Sequence, residues 1–558
     1  MIIKDVYMYE EYIEEIKRYD VFDIIARLAG TTIESRNQNK TLFIDTLIDE
    51  ITSLARSDFQ NSFKMSAGKF WRLINQVVSN EQIRLTIDPN ENIYKQRVIY
   101  RGNHWVFNGI DQDPAYYLQL LVNVLQEHNE YDTEYLQKVD QLISTVLEIS
   151  DFIENGLKCD DVINDESKEY YVPDASKIER NSKLVTFDAD YIRQRVGYED
   201  VFNEMCVRFQ HKRTLETPDM LMFNPQDLSL FCHPFIYNDS RNQIIVSNVA
   251  LLPSFLIYQI FTLARGYNLQ NQIFDDFNEA VFRDCITSIS RLGYSSIDFI
   301  EGEPLINSRV YKEAIFSVSE TKRLLLIFGC DEGGNYSEET VHGIASNEYH
   351  NNVEERYPKL LDIMSDHRIT DDNIIVVVCI SSIGRSMFLG LPHTKHKVQT
   401  ISFSPFDLWC ISMNEMGCEQ FLARYVRARN LMREHVPSLF SELNAVEIYK
   451  SNHNSFVMTD DAKMEEIFTY VAPGDSIEYI QRAVDRFDKK QVDSWRPGEK
   501  IVVIRNDENQ NIYVPTTNDP KVYIEISDSF GIWVISEPIK KLDRMDIIRS
   551  VVDLDNMK

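Results

Sequence analysis

Three groups of side chains in this sequence have types and spacings suited to chemistry. The run Val378-Cys379-Ile380-Ser381-Ser382-Ile383-Gly384-Arg385-Ser386 follows an apolar stretch and sets a thiol six residues before a guanidinium. A thiolate is a nucleophile, and an arginine can clamp two phosphoryl oxygens bidentately. The segment Ala423 to Glu434 carries Arg424, Arg427, Arg429 and Arg433 in an otherwise acidic chain, a pattern that can meet phosphate or nucleic acid. Arg424 and Arg427 share one helical face, but the next position on that face is Leu431, so a solvated face pairing with neighbouring acids is the plainer expectation. Third, Glu320-Thr321-Lys322 sets a carboxylate and an ammonium two residues apart, in a stretch that reads as a turn.

Metal-ligand spacing is absent. The cysteines 159, 206, 232, 285, 330, 379, 410 and 418 never form Cys-x-x-Cys, which argues against a zinc ribbon and against a disulfide framework. Buried thiols in a reducing compartment are expected instead. Pro392-His393-Thr394-Lys395-His396 brings two imidazoles within three residues, but between two strand-like segments and with no nearby carboxylate, so no metal is expected there.

The elements that must position these groups follow from periodicity. Residues 1–160 read as mainly helical, with helical spacing over Thr41 to Arg56, Tyr116 to His128 and Thr133 to Glu154, and a β-hairpin over Arg97 to Phe107. A polar stretch near 155–185 marks a boundary, and 161–270 mixes strand and helix. Within it, Gln243 to Asn248 reads as a strand and Pro253 opens an apolar helix, too interrupted to be a membrane span. In 271–415 the pattern is an amphipathic helix over Asn271 to Leu292, then strands at Ser296 to Ile300, Ala314 to Val318 and Leu324 to Phe328. A helical stretch over Ser337 to Met364 leads to strands at Ile374 to Val378 and Val398 to Ser402. Continuous apolar strands separated by helices predict a mixed α/β sheet covered on both faces. A helical region, 416–490, and a small β domain with a terminal helix, 491–558, complete the expected organisation.

The order helix, strand, strand, apolar strand, helix, strand, strand in 271–410 resembles the core of PD-(D/E)XK nucleases, the restriction-endonuclease-like domains. Ile401-Ser402-Phe403-Ser404-Pro405-Phe406-Asp407-Leu408 is similar to the late strand and helix start of that family. The resemblance implies a helix Glu, a strand Asp and an Asp/Glu-x-Lys motif that hold and exploit Mg²⁺. By that resemblance the helix Glu is Glu279 and the strand Asp is Asp298. The lysine motif has two registers. On the central apolar strand it falls on Phe328-Gly329-Cys330, which supplies neither metal ligand nor lysine, and Asp331 and Glu332 follow without one. In the other register it is Glu320-x-Lys322, which requires Ala314 to Lys322 to be one strand. The first register is preferred, and it implies a degenerate core that serves binding or scaffolding.

The cysteine run resembles the Cys-x5-Arg-Ser/Thr loop of cysteine phosphatases, which implies Cys379 as nucleophile, Arg385 as phosphate clamp and Asp366 or Asp371 as general acid. It departs from that family at Val378, where a His is usual, and at Ser382, where a Gly is usual. Pro392 also leaves little room for the helix that should face phosphate.

With 58 basic and 87 acidic side chains the formal charge is −29, which disfavours broad electrostatic binding to nucleic acid and leaves only the local basic helix for it. The start of the chain, Met1-Ile2-Ile3-Lys4-Asp5, shows no signal-peptide pattern. The reading is a cytoplasmic, bacterial or phage-related interaction or scaffold protein with a protein partner and no cofactor. A defence or mobile-element setting fits by family analogy. A Mg²⁺-dependent nuclease and a cysteine phosphatase stand as alternatives.

Overall fold

A computed structural model describes residues 15–33, 63–78, 93–157, 175–208, 233–330, 347–381, 391–435 and 442–451, with short gaps inside some of these ranges. It also describes scattered positions elsewhere and four strands within 501–538.

The first helix, α1 (Val21–Thr32), begins at Asp20, whose carboxylate accepts the Asp23 N–H at 3.1 Å and so satisfies one of the donors a helix start leaves free. A hairpin follows, β1 (Ile93–Tyr100) with β2 (Asn103–Ile110), in antiparallel register. Its expected turn at Arg101 and Gly102 lies outside the described residues. Then come α2 (Pro114–Glu127), α3 (Thr133–Leu157) and α4 (Ala175–Leu184). α1 packs on α4 closely enough that a Cβ at Gly30 would sit 2.7 Å from the Ser182 nitrogen, which is why a glycine stands inside that helix.

Next is a four-stranded sheet of β3 (Thr186–Asp188), β4 (Cys206–Arg208), β5 (Phe235–Asn238) and β6 (Gln243–Val246), in the order β3-β6-β5-β4. Pro253 stands in the first turn of α5 (Leu252–Gly266), as the fixed φ of proline favours. Among the described residues, Val249–Gly266 is the one stretch apolar and long enough to pass for a membrane span, and 72% of it is buried inside the fold.

α6 (Gln270–Arg291) runs almost as its apolar spacing predicts, and Gly293 just beyond it takes φ 105°, which only glycine adopts without strain. The central sheet comprises β7 (Ser295–Ile297), β8 (Tyr311–Ser317), β9 (Arg323–Cys330), β10 (Ile374–Ser381) and β11 (Gln399–Phe403), in the order β11-β10-β9-β8-β7. β8 is antiparallel to both of its neighbours, β7 and β9. β9, β10 and β11 are parallel, so the β9–β10 link must cross over, and α7 (Asn347–Asp366) lies within it. The protein is thus mixed α/β, as expected.

The apolar runs of β9 and β10 split by residue parity. Leu324, Leu326, Phe328, Val377 and Cys379 join the main core with α6, whereas Leu325, Ile327, Val376, Val378 and Ile380 form a second core under α7. Both faces are covered, which is why these strands do not alternate with polar residues.

α8 (Pro405–Asn414) opens with a capping box. The Asp407 N–H donates to Ser404 Oγ at 3.0 Å, and the Ser404 N–H donates to Asp407 Oδ2 at 3.2 Å. α9 (Glu419–His435) and α10 (Glu442–Ser451) follow. Last comes a four-stranded meander, β12 (Ile501–Arg505), β13 (Asn511–Pro515), β14 (Lys521–Asp528) and β15 (Gly531–Pro538), within the stretch 491–558 expected to be β. The terminal helix expected after it lies outside the described residues.

α6 belongs to two neighbourhoods. Toward α2 and the residues that follow it, Tyr116 donates to Asp284 at 2.7 Å, Tyr131 donates to Asp276 at 2.5 Å, and Tyr117 meets Phe277 edge-on. Toward the central sheet it offers Phe282 and Cys285. Apart from the second core under α7, the described buried apolar side chains form one cluster that runs from Ile16 to Ala483 and crosses every boundary expected between them.

Candidate functional site

The end of the central sheet where β8 begins and β9 ends is where the nuclease resemblance puts its chemistry. In the hairpin register Tyr311 faces Gly329 and Lys312 faces Phe328. Lys312 turns toward α6, where its Nζ lies 3.0 Å from Glu279 Oε2 and also donates to Asn307 Oδ1. Phe282, one turn after Glu279, packs on Phe328 with ring centroids 5.3 Å apart and lies 5.8 Å from the Lys312 ammonium. One turn before Glu279, Asp275 accepts from Arg309 Nε at 2.6 Å, and Arg309 Nη2 donates to Asn271 at 2.9 Å. The Cys330 thiol donates to the Arg309 carbonyl at 3.2 Å. This face of α6 therefore delivers its acids to a lysine and an arginine.

On the opposite face Glu313 is fully buried, with a side-chain exposure of 0%. Its carboxylate accepts from Arg356 Nε at 3.2 Å and Nη2 at 3.0 Å, from the Tyr311 hydroxyl at 2.8 Å and from the Ile306 N–H at 3.1 Å. Four donors fill the capacity of one carboxylate, so none is left for a ligand. Burial, and next the Glu313 charge, push the Tyr311 hydroxyl well above its usual range. Sequence reasoning passed over this acid; the available signal was two adjacent charges, Lys312-Glu313, in a strand whose other described residues are apolar or small.

Asp298 and Glu320 lie outside the described residues. The continuous strand over Ala314 to Lys322 does not exist, because β8 stops at Ser317 and pairs there with Arg323. Lys322 is exposed in the intervening turn, five strand steps or roughly 16 Å from Lys312 along the sheet. The turn chemistry of Ser319-Glu320-Thr321-Lys322 outweighs strand propensity here.

The candidate nucleophile Cys379 lies inside β10, fully buried, with its neighbours in register at Phe328 and Phe403. It meets the Cys285 thiol of α6, which burial and then Cys379 push far up. An apolar setting of this kind stabilises thiols, not thiolates. Arg385 and the side chain of Asp366 lie outside the described residues. Asp371 is already engaged, as follows.

His396 corrects the expectation that no carboxylate is near the histidine pair. Its Nε2 is 3.0 Å from Asp362 Oδ1 of α7, and its Nδ1 is 2.9 Å from Asp371 Oδ1 in the turn before β10. The Lys397 N–H donates to the other Asp371 oxygen at 2.8 Å, and Lys395 pairs with Asp362. These acids lie 34 and 25 residues away in sequence, so only the crossover brings them in. Asp362, and secondarily Asp371, raise the imidazole above its ordinary 6.5 against the opposing effect of burial.

The basic helix is also reassigned in part. Arg429 is turned inward and fully buried, donating to Glu442 from Nε at 3.1 Å and Nη2 at 3.0 Å, while Tyr425 donates to the same carboxylate at 2.8 Å. A guanidinium used this way is not offered to phosphate. Arg424 and Arg427 are exposed, Arg424 reaching Gln420, and the side chain of Arg433 lies outside the described residues.

Among the described residues, no group of three or more His, Cys, Asp or Glu side chains is arranged to hold a metal ion. Among the described residues at the sheet end, Glu279 already faces an ammonium and Phe282 and Phe328 offer no ligand atoms, so these residues by themselves do not fit Mg²⁺. No family model, no curated protein and no solved structure matches this chain.

Proposed function

We propose that this chain is a non-catalytic interaction or scaffold protein built on a nuclease-like core whose metal position is taken by an ion pair. The observation that carries this is Lys312: its ammonium meets Glu279 at 3.0 Å, on the helix face and at the strand end where the resemblance calls for a divalent cation. The order of α6, three antiparallel strands, α7 and two parallel strands supports the nuclease-like core. Phe282 against Phe328 and the filled Glu313 carboxylate support the loss of chemistry. The described cysteines are all free thiols, in keeping with a cytoplasmic setting, and a bacterial defence or mobile-element role follows by analogy alone. The occupant of the scaffold is a protein partner, and no cofactor is required.

The test is direct. The purified full chain is incubated with single- and double-stranded DNA and RNA in Mg²⁺ or Mn²⁺, and the expected result is no cleavage above buffer. Cleavage abolished by Asp298→Ala or Glu320→Ala would overturn the reading in favour of a nuclease. Hydrolysis of a chromogenic phosphate ester, lost in Cys379→Ser, would overturn it in favour of a phosphatase. A stable protein partner in a pull-down, with both assays blank, supports it.

A further inference from the structure

The His396 contacts contain a proton count that the distances alone decide. A neutral imidazole has one N–H and one lone pair, so it donates to one acceptor only. Here both ring nitrogens face carboxylate oxygens, at 3.0 Å and 2.9 Å, and the side chain is only 7% exposed. Asp362 and Asp371 are acceptors when ionised, so both contacts are hydrogen bonds only if the ring carries two protons. With one proton, a ring lone pair points at a carboxylate lone pair, in a place where water has little access.

We propose that His396 is a proton-operated latch, holding segment 391–398 to α7 as the imidazolium and releasing that contact as the neutral ring. The contact released is the one to Asp362. That acid is about half exposed and has Lys395 as a second partner, so it loses little by letting go. Asp371 is less exposed, already accepts the Lys397 N–H and sits beside the buried Tyr357, so it keeps the remaining ring proton at Nδ1. Among the described residues, the charged and titratable groups around the ring are thus Asp362 and Tyr357 from α7, Asp371 from the turn before β10, and Lys395 and Lys397 on the segment itself. Of these, only the imidazole titrates near neutrality. The segment leads directly into β11, an edge strand of the central sheet, so the latch governs how firmly that edge is approached.

Hydrogen exchange on the intact protein, read by mass spectrometry and corrected for the intrinsic pH dependence of exchange, tests this between about pH 6 and about pH 9. Peptides covering 391–398 are expected to lose protection on the order of tenfold as the pH rises, while peptides of α6 do not. His396→Gln has no titrating ring and should show no such step. Asp362→Asn supplies an amide donor to the neutral ring and should keep the segment protected at the upper pH. A flat profile in the unaltered chain overturns the latch, and so does the same step in His396→Gln. If a variant does not fold, carbethoxylation of His396 in the unaltered chain decides: its rate should rise through a step displaced to higher pH than the ordinary deprotonation of an exposed histidine at about 6.5, and a rate that follows that ordinary step overturns the proposal.

Discussion

Lys312 and Phe328 stand opposite each other in one antiparallel register, one ion-paired to α6 through Glu279 and the other packed on α6 through Phe282. A charge and a ring thus share one helix face. The ammonium is nearly buried while its partner carboxylate is more than a third exposed, so the pair holds the helix down without being sealed from water. Lys312→Ala is expected to destabilise the protein by about 1–2 kcal/mol, discounted for the exposure of Glu279. Lys312→Met, which keeps the aliphatic stem over Phe282, should cost less. Chemical denaturation measures both, and equal losses would show that charge alone matters.

The Glu313–Arg356 pair on the other face is sealed. Arg356→Met should cost about 3–5 kcal/mol, because it leaves a buried carboxylate with only Tyr311 and a backbone N–H as donors. Adding Glu313→Gln should recover part of that loss. A double variant no more stable than the single one would mean that packing, not charge, is what Arg356 supplies.

At Gly329 a Cβ would lie 2.3 Å from the Tyr349 ring and 3.1 Å from Ile380. Gly329→Ala should therefore cost roughly 1–3 kcal/mol by overpacking. Tyr349→Leu in the same chain should relieve most of it, a coupling that a double-mutant cycle in denaturant reads.

The arginines of α9 are expected to divide by burial. Arg429→Ala takes the cation away from the Glu442 carboxylate, leaving Tyr425 as a donor, and should lower the unfolding midpoint markedly, whereas Arg424→Glu and Arg427→Glu should change stability by less than about 0.5 kcal/mol. If the two exposed arginines bind nucleic acid, the reversals will abolish a mobility shift that the unaltered chain produces. No shift in either leaves them as solvated charges.

The His396 cluster should give stability a window in pH. The imidazole is raised above 6.5 in the folded protein, so its contribution is complete below that value and is lost as the pH climbs through the higher folded value. Asp362 is lowered by Lys395 and then His396. Asp371 is lowered too, although burial, the largest influence on it, acts the other way; the Lys397 N–H and then His396 outweigh it. Their contribution is therefore present above the ordinary 3.8 and is lost as the pH falls through the folded values. The melting-point gap between the unaltered chain and His396→Gln should be widest between these limits, and thermal melts across the range will find it.

Much of this fold was legible because period reveals burial. The apolar runs of β9 and β10 announced a sheet covered on both faces, and Pro253, Gly293 and Ser404 punctuated their helices as backbone chemistry requires. The candidate site was far less legible. Which way Arg429 turns depends on Glu442, thirteen residues on, and what His396 meets depends on two acids brought in by a crossover. Lys312 and Glu313 are neighbours in sequence yet serve opposite faces of the sheet, and no local pattern says which face wins which partner. Strand ends misled in one more way: Cys379 reads as the last residue before a loop, but pairing carries β10 on to Ser381 and encloses the thiol.

Because α6 presents aromatic and acidic side chains to α2 and Phe282 and Cys285 to the central strands, it works as a party wall between two halves of the molecule. Neither half owns it. A fragment cut before residue 270 would lose the wall, and one cut just after 266 would keep it with one side stripped of its lining, so the segment holding the central sheet is not a portable module. Damage on one side is passed to the other, and the two halves should melt together.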